Sequence, residues 1–175
     1  MRNLLFGLLI MLAAPASAEV IASGPNGFYV RQSVPLIVSQ DRAFDAFEQI
    51  GRWWESSHTY SGDSANLRLS ASPGGCFCER FPGGGGIEHM RVAYADRGKR
   101  LILSGSLGPL LYEATSGVMD IKFERIAGGT RVVLDYKVSG FATGGGDKLA
   151  PAVDQMLAQQ MRRFRESARA QPASR

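Results

Sequence analysis

Cys76 and Cys78 are the only two cysteines of a 175-residue chain, and one residue separates them in Gly74-Gly75-Cys76-Phe77-Cys78-Glu79. Side chains two apart along a strand leave the same face, so both thiols project from one surface. Three chemistries are open to such a pair. A disulfide would close a very tight ring, near the upper limit of disulfide reach on an extended backbone and easier at a bulge. A metal site would add His89 from the neighbouring strand, or His58 from the preceding loop, to two thiolates in a zinc-like or copper-like ligand set. Two reduced, partly buried thiols would behave as small apolar side chains. Strand phase bears on the choice. If Phe77 points inward, Cys76 and Cys78 face outward, and the alternation of Met90, Val92 and Tyr94 sends His89 outward beside Arg91. The inverse phase would put both thiols inside.

Acid–base chemistry has four further candidates. His58 and Tyr60 stand in His58-Thr59-Tyr60-Ser61-Gly62-Asp63, a segment dense in hydrogen-bonding groups. They fit polar contacts at a pocket mouth or proton transfer, with Asp63 beside them; a turn capped by Ser61 and Asp63 is the bland alternative. Glu79 and Glu88 lie on adjacent predicted strands. If both face inward, one carboxyl would have a raised pKa and serve as a general acid; if not, they are ordinary exposed carboxylates. Gly105-Ser106-Leu107-Gly108-Pro109-Leu110 lacks the Lys-Ser/Thr ending of a phosphate loop and reads as a turn. Gly-x-Ser-x-Gly, His-Glu-x-x-His and the dinucleotide fingerprint do not occur, and no cofactor is expected.

The elements that position these residues follow from periodicity. Phe28 to Val34 reads as a strand, and Ser39 is a fitting N-cap for a helix from about Gln40 to Gln49 with an apolar stripe of Phe44, Phe47 and Ile50. From Asn66 to Gly140 the pattern is of short strands between glycine-rich turns: Leu67 and Leu69, Gly75 to Arg80, Met90 to Tyr94, Leu101 and Leu103, Met119 to Phe123, and Val132 to Val138. Their alternation predicts antiparallel strands with one wet and one buried face. A helix is predicted from about Asp147 to Ala168, with Leu149, Val153, Met156, Leu157, Gln160 and Phe164 on one stripe that must cover the sheet.

The start of the chain carries an export pattern. Met1-Arg2-Asn3 is positive, Leu4 to Ala14 is apolar without a break, and Ala16-Ser17-Ala18 follows Pro15. This order predicts a signal peptide over 1–18, cleaved, and a periplasmic or secreted location. The run is shorter than the ~20 residues of a membrane span, and no later segment is apolar enough for one, so no transmembrane anchor is expected in the mature form. Residues 19–27 would be a leader, 28–168 a single domain and 169–175 a flexible tail. The formal charge is a mild +4. Arg162, Arg163, Arg165 and Arg169 fit a solvated helix face beside the dipole's negative end, and without interleaved aromatics nucleic acid is not an expected partner.

A strand, a short helix, a run of antiparallel strands and one long terminal helix form an order that resembles the SRPBCC (START-like, Bet v 1-like) superfamily, in its polyketide cyclase/dehydrase and Hsp90-activator-homology branch. Ser33-Val34, then Phe44, Phe47 and Trp53-Trp54, then Gly74 to Glu79 and the Leu149 to Phe164 helix carry the resemblance, which spans Phe28 to Ala168. It implies an α+β helix-grip fold, a curved antiparallel sheet wrapped around the last helix with a deep apolar pocket between them. It does not imply one activity. On that basis the expected partner is a small hydrophobic molecule or lipid, held by Trp53, Trp54, Met90, Val92, Tyr94, Leu103, Tyr136, Met156 and Gln160. A cyclase-, lyase- or hydrolase-like enzyme using His58, Tyr60, Glu79 or Glu88 is the alternative, and a metal or redox site at Cys76, Cys78 and His89 is another.

Overall fold

Alternating apolar residues and glycine turns produce a sheet that curves around one helix. The computed structural model describes residues 17–170; the rest of the expected signal peptide (1–16) and of the tail (171–175) lie outside the described residues. Eight antiparallel strands lie in the order β1-β2-β8-β7-β6-β5-β4-β3. They are β1 (Ser17–Gly24), β2 (Gly27–Leu36), β3 (Leu67–Leu69), β4 (Cys76–Arg80), β5 (Gly86–Asp96), β6 (Arg100–Gly105), β7 (Thr115–Ile126) and β8 (Gly129–Gly140). The helices are α1 (Gln40–Glu48) and α2 (Gly146–Ala170). This is the expected α+β helix-grip arrangement, with α2 packed on the sheet.

The segment 19–27, expected as a leader, is largely strand. It supplies most of β1, which pairs with β2 through Glu19–Arg31 and Val20–Val30, and Pro25-Asn26 makes the two-residue turn between them. A bulge between Val20 and Ala22 interrupts the alternation that would have marked the strand.

Ser39 caps α1, its side chain accepting the Arg42 N–H, and Ala43, Phe44, Ala46 and Phe47 form the buried face. That face meets Trp53 and Phe164, whose rings lie 5.2 Å and 5.3 Å from Phe47. Each fully buried aromatic of this cluster contributes roughly 2–3 kcal/mol of apolar burial. On α2, Ala150, Leu157, Gln160, Met161, Phe164 and Ala168 are buried, whereas Leu149, Val153 and Met156 are only partly covered. Gln32 on β2 donates to the Asp154 carboxylate at 2.6 Å and ties the helix to the sheet. One flank of the first half of α2 is thus only partly covered, and the space beside it is the candidate site.

Candidate functional site

A cavity of about 390 Å³ opens between α2, the turn after α1, strands β4 and β5, and the segment that follows β6. Its walls are mainly apolar: Trp54, Phe77, Leu107, Pro109, Leu110, Leu149, Ala152, Val153 and Met156. The volume falls at the smaller end of the ~300–1,000 Å³ common for small-molecule sites. Polar groups are few, and they come from His58, Thr59, Tyr60, His89 and Glu113 together with Ser57.

His58 is an exposed residue held from behind: its Nδ1 lies 2.8 Å from Nε2 of Gln160. Tyr60 sits at the mouth, 38% exposed, stacked on His89 at 6.0 Å and edge-on to Tyr112 at 6.2 Å. Partial burial, then the hydrogen bond to Tyr112 and the nearby charge of Glu79, push the Tyr60 phenol up to about 12. It is a neutral hydroxyl at any physiological pH.

Glu79 and His89 form a buried pair. Their side chains are 0% and 4% exposed, with Glu79 Oε2 3.2 Å from His89 Nε2. The same carboxylate accepts the Tyr60 N–H at 3.1 Å and the Ser61 N–H. Burial pushes the Glu79 carboxyl up, but the hydrogen bonds from Ser61, Tyr60 and His89 together outweigh it and hold the group below its ordinary range. Burial pushes the His89 imidazole down, and the opposing pull of Glu79 does not restore it. The pair is therefore a carboxylate and a neutral imidazole at pH 7.

His89 faces inward because of a bulge. Phe77 pairs with Met90 and Cys78 with Glu88, which leaves His89 as the extra residue on β5. A bulge turns two successive side chains to one side, and His89 and Met90 are both buried. Simple alternation had sent His89 outward beside Arg91. A second bulge skips Ala93, since Val92 pairs with Leu103 and Tyr94 with Ile102. It rotates Tyr94 to the outer face, 45% exposed, so this residue does not line the cavity as expected.

Of the other expected lining residues, Trp54 and Met156 border the cavity. Trp53, Leu103 and Gln160 border a separate void of about 10 Å³, enough for one water at most. Met90, Val92 and Tyr136 are core residues, at most 2% exposed. Tyr136 acts on the site indirectly: its hydroxyl accepts the Leu107 N–H at 3.3 Å and so anchors the cavity-lining segment Leu107–Glu113. Periodicity missed that segment because it is neither strand nor α-helix; the run Leu107, Pro109, Leu110, Leu111 was the available signal.

Glu79 and Glu88 do not converge. Glu88 is exposed and pairs with Arg91 on its own strand. Nor do Cys76, Cys78 and His89 assemble. With Phe77 buried, the cysteines lie half-buried on the opposite face and are joined as a disulfide with Cα atoms 5.4 Å apart. The Glu88 carboxylate comes within 4.8 Å of the two sulfurs, but sulfurs bonded to each other are not thiolate ligands.

No family model matches the chain, and no curated protein does. Solved structures of similar shape do exist. An uncharacterized protein from Rhizobium leguminosarum superposes with a TM-score of 0.60 at 19% identity, covering 90% of this chain and 100% of that one. Mll3558 from Rhizobium loti gives 0.59 at 20% identity, covering 79% and 95%. BexL, a di-domain ARO/CYC protein of the BE-7585A biosynthetic pathway, gives 0.57 at 17% identity over 87% of this chain and 52% of its own. The chain thus spans about half of that di-domain protein, and identities this low show a shared helix-grip fold and nothing finer.

Proposed function

We propose that this chain is an exported SRPBCC-type protein that binds a small hydrophobic molecule between its sheet and α2. The observation that carries the reading is the apolar cavity of about 390 Å³ beside the first half of α2, walled by Trp54, Phe77, Leu110, Val153 and Met156. Ligand sites of this kind combine apolar walls with a few polar groups that fix orientation, here His58, Tyr60 and His89. Export is supported by the signal-peptide pattern over 1–18 and by the Cys76–Cys78 disulfide, which suits an oxidising compartment. Among the described residues no helix is long and apolar enough to cross a membrane.

Native mass spectrometry of the protein from its own periplasm, followed by titration with a panel of apolar molecules, tests this reading. A co-purifying small molecule, or saturable binding from the panel, is expected. A consistently empty protein that binds none of the panel would reject it. A cyclase-like activity is the second reading, favoured by the Glu79–His89 pair and Tyr60 converging on the cavity wall. Turnover of a bound ligand that stops in His89→Ala would distinguish it from simple binding.

A further inference from the structure

Nδ1 of His89 is buried and has no hydrogen-bond partner. Buried polar atoms are rarely left so, and each one calls for an explanation. Its chemical state follows from its neighbours. An ionised carboxylate only accepts hydrogen bonds, so Glu79 requires the imidazole proton on Nε2, 3.2 Å from Oε2. The Tyr60 and Ser61 N–H groups hold that carboxylate in place from the other side. A neutral imidazole has one donor and one acceptor, so Nδ1 carries a bare lone pair. Its ring packs against Phe77 at 4.8 Å and Tyr60 at 6.0 Å, neither of which offers a donor to it, and the ring lines the cavity.

Resting on the cavity reading above, we propose that the ligand is a neutral hydroxyl compound, an alcohol or phenol on an apolar body, whose O–H donates to Nδ1 of His89. Nδ1 is closed to solvent in the empty site, so the donor reaches it from the cavity as the Tyr60 ring stacked on the imidazole gives way, and the occupant then pairs an otherwise unpaired polar atom. An ether or ketone at the same place opposes lone pair to lone pair, and an anion adds repulsion from the Glu79 charge behind the ring. Sites built to pair a hydroxyl reject the analogue that lacks it far more strongly than apolar walls distinguish shapes. Glu79 is a positioning residue here, since it fixes the tautomer and touches no ligand.

The test is calorimetric titration of the full mature protein with two matched pairs, 2-naphthol against 2-methoxynaphthalene and 1-decanol against decyl methyl ether. In at least one pair the hydroxyl compound is expected to bind roughly 10- to 100-fold tighter than its ether. In His89→Phe the preference should vanish while the ether keeps its affinity. Long-range nitrogen-15 spectra of the unliganded protein should show a neutral His89 with its proton on Nε2, a readout that survives even if the variant does not fold. Equal or tighter binding of both ethers in the wild type overturns the hydroxyl inference and leaves the cavity reading standing. A proton on Nδ1 overturns it as well. Binding of none of the four compounds overturns both.

Discussion

Gln160 on α2 bridges to His58 from outside the cavity: its Nε2 lies 2.8 Å from His58 Nδ1, while its Oε1 accepts the Glu55 N–H at 2.8 Å. The amide is therefore oriented, oxygen toward Glu55 and nitrogen toward His58. His58 Nδ1 must accept, which places the ring proton on Nε2. One buried side chain thus fixes both the backbone and the tautomer of the turn at the cavity rim.

Gln160→Leu keeps the volume but leaves the Glu55 N–H and His58 Nδ1 without these partners. A loss of about 1–3 kcal/mol in unfolding free energy is expected, the cost of an orphaned buried donor. Amide hydrogen exchange over residues 55–60 should accelerate more than in β7 or β8. Urea unfolding and exchange mass spectrometry measure the two effects. Unchanged exchange in the turn would mean that Gln160 does not anchor it.

Most elements were legible in the sequence because their apolar residues recur with one period along each. The β7 strand alternates cleanly from Met119 to Phe123, and the α2 stripe from Leu149 to Phe164 keeps helical spacing. The site was less legible, because it is built where periodicity breaks. Bulges at His89 and Ala93 reverse the phase of β5 within five residues, bringing His89 in and turning Tyr94 out. A bulge changes the ladder partner by one, and nothing in the order His89-Met90-Arg91 announces it. The pocket residues placed by alternation alone, Met90, Val92 and Tyr136, went to the core. The lining that alternation could not reach came from the Leu107–Glu113 segment, whose position depends on a long-range bond to Tyr136.

Filling the cavity should separate binding from folding. Met156 lines it and is only partly buried, so an indole at this position has empty space to enter. Met156→Trp is expected to lower affinity for a neutral apolar probe such as N-phenyl-1-naphthylamine by more than about tenfold, with a stability change under about 1 kcal/mol. Fluorescence titration and thermal unfolding check the pair of outcomes. Unchanged affinity would place the probe elsewhere.

The Cys76–Cys78 disulfide closes a loop of the smallest useful size, and chain entropy then gives it a stabilising effect of only about 1–2 kcal/mol. The double variant Cys76→Ala/Cys78→Ala should therefore still fold, with an unfolding midpoint modestly lowered. Alkylation of the denatured wild-type protein should add no mass before reduction and two alkyl groups after it. Two groups added before reduction would show free thiols. Because Phe77, between the two cysteines, lines the cavity, the double variant should also bind ligand somewhat more weakly.

On the outer face, Asp135 gathers the Arg31 guanidinium at 2.6 Å, the Tyr29 hydroxyl at 2.7 Å and the Lys122 ammonium at 3.1 Å. Burial pushes its carboxyl up, but these donors outweigh burial and bring it down to about 2, from an ordinary 3.8. A depressed carboxyl stabilises the fold above its unfolded value and loses that effect as pH falls through the folded one. The window is therefore from about pH 4 down to about pH 2. Arg31 and Lys122 are 44% and 35% exposed, and screening at their outer ends reduces the stabilisation to about 1 kcal/mol. Urea unfolding of wild type and Asp135→Asn between pH 7 and pH 2 should show a wild-type advantage that is constant above about pH 4 and shrinks below it. An advantage that persists undiminished at pH 2 would mean that the charge on Asp135 contributes nothing, and that its hydrogen bonds alone hold β2, β7 and β8 in register.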